Sequence, residues 1–342
     1  MDKILLIAHT EANGSLSKAS LEALTCAKDL AASLSTTFAV GVFGENTAKA
    51  LEQIGSCGAE KYLSVSGADF KDARYATDSY AVEGIYRKAQ ASIVIAAGTS
   101  RMNRVIPGVA HRVEGVAELH VSSIAGSATE LTATRWLYRQ RIEAVITRAS
   151  RPWFLGVDSG NYTAWTGSTS AVTAESVATE APAACKRSKV VGLESPGSGE
   201  QTIKPDAELL MVAGAGWTKK QADGTVHAQE ARKTILGFLS KSGASLGGSK
   251  AMVDLDSENR EAFNFMTHLN QIGQTGTSPR HQKGLSTCCH GEEPHAVGWR
   301  FINERRAVNL DANCGWARGK ADVLYVADAF AVMAKVNELL SK

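Results

Sequence analysis

Polar and small residues gather in the last quarter of the chain in an order that suits cofactor binding. Ile272-Gly273-Gln274-Thr275-Gly276 is a polar, glycine-broken turn, and Gly291 and His295 follow it. Val308-Asn309-Leu310-Asp311 puts an Asn-x-Asp after a short strand, and Ala321-Asp322 through Ala327-Asp328 leads into a terminal helix. Small residues at strand ends let a cofactor approach the backbone, and amide and hydroxyl side chains at such turns hydrogen-bond a ring or a phosphate. A second group is Cys288, Cys289, His290, His295 and Cys314. Thiolates and imidazoles of this kind bind zinc or iron–sulfur centres. Against a metal, adjacent cysteines ligate one ion poorly and the chain has no CxxC.

Strand-like and helical patterns alternate along the chain and would position these residues. Apolar runs at 4–8, 38–43, 62–65 and 93–97 read as strands, and leucines 21, 24, 30 and 34 recur at roughly helical spacing. Helices are expected at 48–54 and 80–89, and extended segments at 121–124, 131–138, 142–148 and 153–157. Alternating βα units imply a doubly wound, mainly parallel sheet. The composition then shifts: 158–206 is rich in Ser, Thr, Ala, Gly and Glu and contains Pro182, Pro196 and Pro205, which reads as linker with one strand near 189–193. A second α/β unit opens at Leu209-Leu210-Met211-Val212-Ala213-Gly214. It continues with helices at 227–240 and 257–269, a strand-turn at 244–253, a strand at 306–310 and a helix at 327–340. The expected domains are 1–157, a linker over 158–207, and 208–342.

Composition narrows the function. The 342 residues favour two domains, and 44% hydrophobic residues suffice for ordinary cores. With 37 basic and 35 acidic residues the net charge is +2, which argues against a general nucleic-acid binder. Arg135, Arg139, Arg141 and Arg148 could meet an anionic partner, but a solvated β surface or a subunit interface explains them as well. The run at 4–8 is too short for a signal-peptide core or a membrane span, and no later run is long enough for membrane insertion. The six cysteines have no disulfide-framework spacing. A cytoplasmic setting is the simplest expectation, with a mitochondrial matrix requiring a transit peptide absent from this chain.

The C-terminal motifs resemble the electron transfer flavoprotein alpha subunit family. Gly247-Gly248-Ser249-Lys250 stands where that family has Gly-Ala-Ser-Arg, and Gly273-Gln274-Thr275-Gly276 matches its Gly-Gln-Thr-Gly. Without a gap, Gly291 and His295 fall on the glycine and histidine of its Gly-Ile-Ser-Gly-Ala-Ile-Gln-His. Asn309 and Asp311 fall on its Asn-x-Asp, and Asp322 and Asp328 on its terminal Ala-Asp…Ala-Asp. Several matches in fixed order outweigh one glycine motif. The N-terminal similarity, at 4–8, Gly14-Ser15-Leu16-Ser17, 96–100 and Pro107-Gly108-Val109-Ala110, is generic.

The resemblance implies two doubly wound, mainly parallel-sheet domains, the second an FAD-binding domain. It also implies a beta subunit partner, with AMP in that subunit. Electrons would pass from a flavin dehydrogenase donor to a quinone reductase or other acceptor, so the chain would be a carrier and not an enzyme. By the same match, Thr275 and its backbone would face the flavin N5/O4 edge and Gln274 the ribityl chain, with Gly276 a further cofactor-binding residue. His290, Gly291 and His295 form the flavin loop, with His295 at the O2/N1 edge. Lys250 keeps a positive charge without an arginine's planar fork. Ser249, Asn309 and Asp322 would hold the pyrophosphate and adenosine part, and Asp311 of the same Asn-x-Asp is a further cofactor-binding residue. The family's Gly-Gly-Arg-Gly is here Gly214-Ala215-Gly216-Trp217, so a cofactor-contacting arginine is lost, leaving Lys219 or Lys220 as substitutes. The Ser/Gly-rich 158–206 segment would act as a hinge for a mobile flavin domain. Two other classes stay open: a flavin-less scaffold subunit, and a metal or thiol redox protein using Cys288, Cys289 and Cys314.

Overall fold

The structure is a computed structural model that describes residues 2–127, 130–138, 142–192, 203–204, 206–255, 257–272, 278–287, 301–313 and 321–342. The chain divides into two compact units, Met1–Leu193 and Glu194–Lys342.

The first unit contains β1 (Ile4–His9), α1 (Lys18–Ser33), β2 (Phe38–Gly44), α2 (Ala48–Gln53), β3 (Lys61–Ser66), α3 (Tyr75–Ala89), β4 (Ile93–Ala97) and α4 (Ser100–Arg112). It continues with β5 (Val116–Gly126), β6 (Leu131–Leu137), β7 (Ile142–Thr147), β8 (Trp153–Val157) and β9 (Glu175–Ser176). One sheet runs β7-β6-β5-β8-β4-β1-β2-β3-β9. It is parallel except where β6 pairs antiparallel with β5 and with β7. β1 shows why its apolar run is continuous: Ile4, Leu6 and Ala8 enter one core with α1, while Leu5 and Ile7 enter the opposite core with α3 and α4. A strand buried on both faces has no polar alternation. In α1, Ala23, Leu24, Ala27, Leu30 and Ala31 are buried at helical spacing, and Ser17 caps the N-terminus by accepting from the Ser20 N–H. Burial of each leucine contributes about 1.5–3 kcal/mol.

The stretch expected to be a linker is largely part of this unit. Trp165 packs on the first core, and its N–H donates to the Leu21 carbonyl. The Ser170 N–H donates to Glu52 O, Glu175–Ser176 pairs with β3, and Ala181 is buried. The strand near 189–193 is not found in the described residues there; among the described residues of the segment the strand is β9. Small residues look like a linker in sequence, yet here they let a strap lie close against helices. A Cβ on Gly55 would stand 1.8 Å from Ser170 O.

The second unit contains β10 (Leu209–Ala213), α5 (Ala228–Ser242), β11 (Ser245–Gly248), α6 (Lys250–Val253), α7 (Ser257–Arg260), β12 (His281–Thr287), β13 (Ile302–Asn309), β14 (Val323–Val326) and α8 (Ala329–Leu339). Its parallel sheet runs β11-β10-β12-β13-β14. Met211, Ala213, Leu246 and Val308 face α5 and α8 across one core, and Leu210, Val212, Ile302 and Ala307 form the other. The helix expected over 257–269 is only the short α7, followed after a turn by a 3-10 turn at His268–Asn270. Thr267 and Asn270 build a capping box that starts this turn.

Candidate functional site

The second sheet has strand order 2-1-3-4-5, which places a topological switch point between β10 and β12. In such sheets the ligand crevice opens at the carboxyl ends of the strands. Ser249 follows β11, and its N–H donates to Ala213 O at 3.1 Å. Its Oγ is buried and has no hydrogen-bond partner among the described residues, although the residue stands at the N-cap of α6. Asn309, 6% exposed, closes β13 and donates from Nδ2 to Asp311 O at 3.3 Å. Asp311 accepts the Asn313 N–H at 2.8 Å, holding the turn that follows. Lys250 is exposed, with its ammonium 3.9 Å from Asp254.

Asp322 is not brought to that edge. It lies at the amino end of β14, where its carboxylate accepts the Arg305 N–H at 2.6 Å and its own N–H donates to Arg305 O. Four strand residues at about 3.3 Å each put it roughly 13 Å from the Asn309 end of the sheet. The aspartate at the carboxyl edge is Asp328, whose N-cap side chain accepts the Phe330 N–H of α8 at 3.0 Å. The next-door Ala327 N–H donates to Asn309 O. The signal for Asp328 was in the sequence: an Asp directly before a helical run is an N-cap pattern. Gln274, Thr275, Gly276, His290, Gly291 and His295 lie outside the described residues, as do Cys288, Cys289, Cys314, Arg139 and Arg141.

The donor set at this edge fits a group carrying a pyrophosphate and a sugar. A buried hydroxyl lacking a partner retains the cost of its desolvation until something bonds it, about 1–3 kcal/mol. Exposed Lys219 and Lys220 follow the Ala215–Thr218 turn, so cationic side chains stand near the position that lacks an arginine. Among the described residues no cluster of His, Cys, Asp or Glu could hold a metal ion.

The first sheet has its own switch point between β1 and β4, occupied by His9, which sequence reasoning did not single out. His9 is 6% exposed. Its Nδ1 lies 3.3 Å from Thr10 O and its Nε2 3.4 Å from Thr99 Oγ1, which also accepts the Met102 N–H. A neutral ring satisfies both contacts, donating from Nδ1 and accepting at Nε2. Burial, reinforced by the Arg101 charge, pushes its pKa below the ordinary value, against the opposing pull of Glu11 and Asp78. The folded chain therefore resists protonation to a lower pH than the unfolded chain. The stability due to His9 is complete above about pH 6.5 and is lost as pH falls through the lower folded value. Chemical unfolding at stepped pH should show this loss, and His9→Gln should remove it; an unchanged acid slope in the variant would refute the assignment. Arg135 and Arg148 both bind Glu118, which is 4% exposed, with Arg148 Nη2 at 2.6 Å. Both arginines are thus paired with one buried carboxylate.

The family described as "Electron transfer flavoprotein domain" matches residues 4–186, more than half of the chain. The chain belongs to this family. The match covers the first unit together with its strap, so family membership rests on the part whose sequence features looked generic. A comparison with curated proteins found no match. Electron transfer flavoproteins are flavin-associated proteins that work with redox partners. Among the described residues of this member, no helix is long and apolar enough to cross a membrane.

Proposed function

We propose that this chain is the alpha subunit, or a close paralogue, of an electron transfer flavoprotein, with FAD at the carboxyl edge of the second sheet. A beta subunit completes the complex and carries AMP. Bound FAD supplies reversible electron uptake, from a flavin dehydrogenase and onward to a quinone reductase or other acceptor. The protein's part is to bind, orient and tune. Ser249 offers a hydroxyl to the pyrophosphate, Asn309 and Asp311 set the edge beside it, and Lys250 supplies positive charge. The observation that supports this reading is the buried Ser249 hydroxyl, without a hydrogen-bond partner among the described residues, beside the switch point of a doubly wound sheet. A flavin-less scaffold is the second reading, favoured by Gly216 standing where the family's arginine would be.

The site is tested by FAD dissociation constants of the purified complex. Ser249→Ala and Asn309→Ala should each weaken binding about tenfold, the lower range for a hydrogen bond to a charged group. Asp322→Ala, at the opposite edge, should bind as the parent does. Unchanged binding in the first two with loss in the third would sink the placement.

A further inference from the structure

Trp217 is fully buried, yet it belongs to the turn that follows the first strand of the second sheet. Its indole packs at 4.5 Å between ring centroids on Phe330 of α8. The indole N–H crosses the switch point and donates to Thr287 Oγ1 on β12 at 2.9 Å. The Thr287 hydroxyl then donates to Val212 O on β10 at 3.3 Å, and the Gly214 N–H donates to Thr287 O at 2.8 Å. Every polar atom in this relay has a partner of the right sense: one bond joins β10 to β12 and the other two join the turn after β10 to β12, at the mouth of the crevice. Thr287 is 0% exposed, so water does not compete for its hydroxyl.

We infer that Trp217 is a positioning residue for the cofactor: its bond to Thr287 locks the Gly214 turn against β12 and fixes the floor of the crevice before the ligand arrives. The inference rests on the proposed flavin site and adds a residue to it. It also gives the sequence departure a physical sense. Gly214-Ala215-Gly216-Trp217 lacks a cation to grip the ligand, and the tryptophan beside the lost position makes the turn rigid. A preorganised site loses less entropy on binding, so part of what a direct charge contact would supply comes from order already present. Gly216 shares the turn: its carbonyl accepts from Gln221 Nε2 at 3.2 Å, closing the loop from the other side.

The test uses the full chain in its complex, stripped of flavin, with FAD as the titrant. Thr287→Val keeps the shape and loses the acceptor, and Thr287→Ser keeps the acceptor. Trp217→Phe keeps an aromatic ring against Phe330 and loses the donor. Thr287→Val and Trp217→Phe should each raise the FAD dissociation constant about tenfold, within the range for a broken buried hydrogen bond. The double variant should bind no worse than either, because both remove one bond. Thr287→Ser should bind as the parent does. Amide exchange at Gly214 should quicken in Thr287→Val and stay slow in Thr287→Ser. If the parent takes up FAD and Thr287→Val binds it within twofold of the parent, the positioning role is refuted while the flavin reading stands. If the parent takes up no FAD, both fall. Should Trp217→Phe not fold, the two Thr287 variants decide the question alone.

Discussion

Arg101→Ala should destabilise the first unit by about 3–5 kcal/mol, the cost of breaking a buried ion pair from one side. The Arg101 Nε and Nη2 atoms donate to the two oxygens of Asp78 at 2.8 and 2.7 Å. The same guanidinium donates to the carbonyls of Phe70, Lys71 and Asp72, and it lies 5.2 Å from the Phe43 ring centroid. The Asp78 side chain is 1% exposed. Losing the arginine leaves a carboxylate buried with no counter-charge, and three carbonyls that end the Ala68–Phe70 turn lose their donor. Replacing both partners with apolar residues of similar size, Arg101→Met with Asp78→Leu, should recover the part of the loss due to the uncompensated carboxylate, while the carbonyls of Phe70, Lys71 and Asp72 still lack their donor. Urea unfolding measures both. A single-variant loss under about 1 kcal/mol, the range of an exposed pair, would show that the pair is not buried as described.

Gly55→Ala should detach the strap that follows β8. The added Cβ would stand 1.8 Å from Ser170 O and 2.7 Å from Ser170 C, both backbone atoms that no rotamer change can move. Relief requires the chain to lift, which breaks the bond from the Ser170 N–H to Glu52 O and disturbs that from the Ser56 hydroxyl to Ser168 O. A cost of about 1–3 kcal/mol is the usual size of such overpacking. Limited proteolysis should then cut within 166–174 in the variant and not in the parent. Gly192→Ala, where nothing lies within 4 Å of the new Cβ, is the control. Equal resistance in the Gly55 variant would mean that the segment is loosely attached, as its composition suggests.

The strands buried on both faces were legible because burial imposes a continuous apolar run: β4 and β8 have the bounds expected from sequence. β12 was not legible. His281-Gln282-Lys283-Gly284-Leu285-Ser286-Thr287 carries neither alternation nor a β-branched apolar run, and it is a strand because β10 and β13 pair with it on both sides. The strap was misread because small polar residues serve linkers and close backbone packing equally well. At the candidate site, Ser249 and Asn309 come together at the carboxyl edge. The resemblance pointed to Asp322 as a cofactor residue, but Asp322 precedes β14 and Asp328 follows it, so the parallel sheet puts Asp328 at the carboxyl edge and Asp322 at the amino edge. The buried charges at Arg101 and Asp78 left no trace in spacing, since they stand 23 residues apart on different helices, Asp78 on α3 and Arg101 on α4.

The visible spectrum of this chain co-purified with its beta-like subunit tests the central claim most directly. A two-band flavin absorption, with FAD released on denaturation, is the predicted result. A stable but colourless heterodimer would contradict the carrier reading and leave a scaffold, and a broad brown absorption would contradict it in favour of a metal centre at Cys288, Cys289 and Cys314.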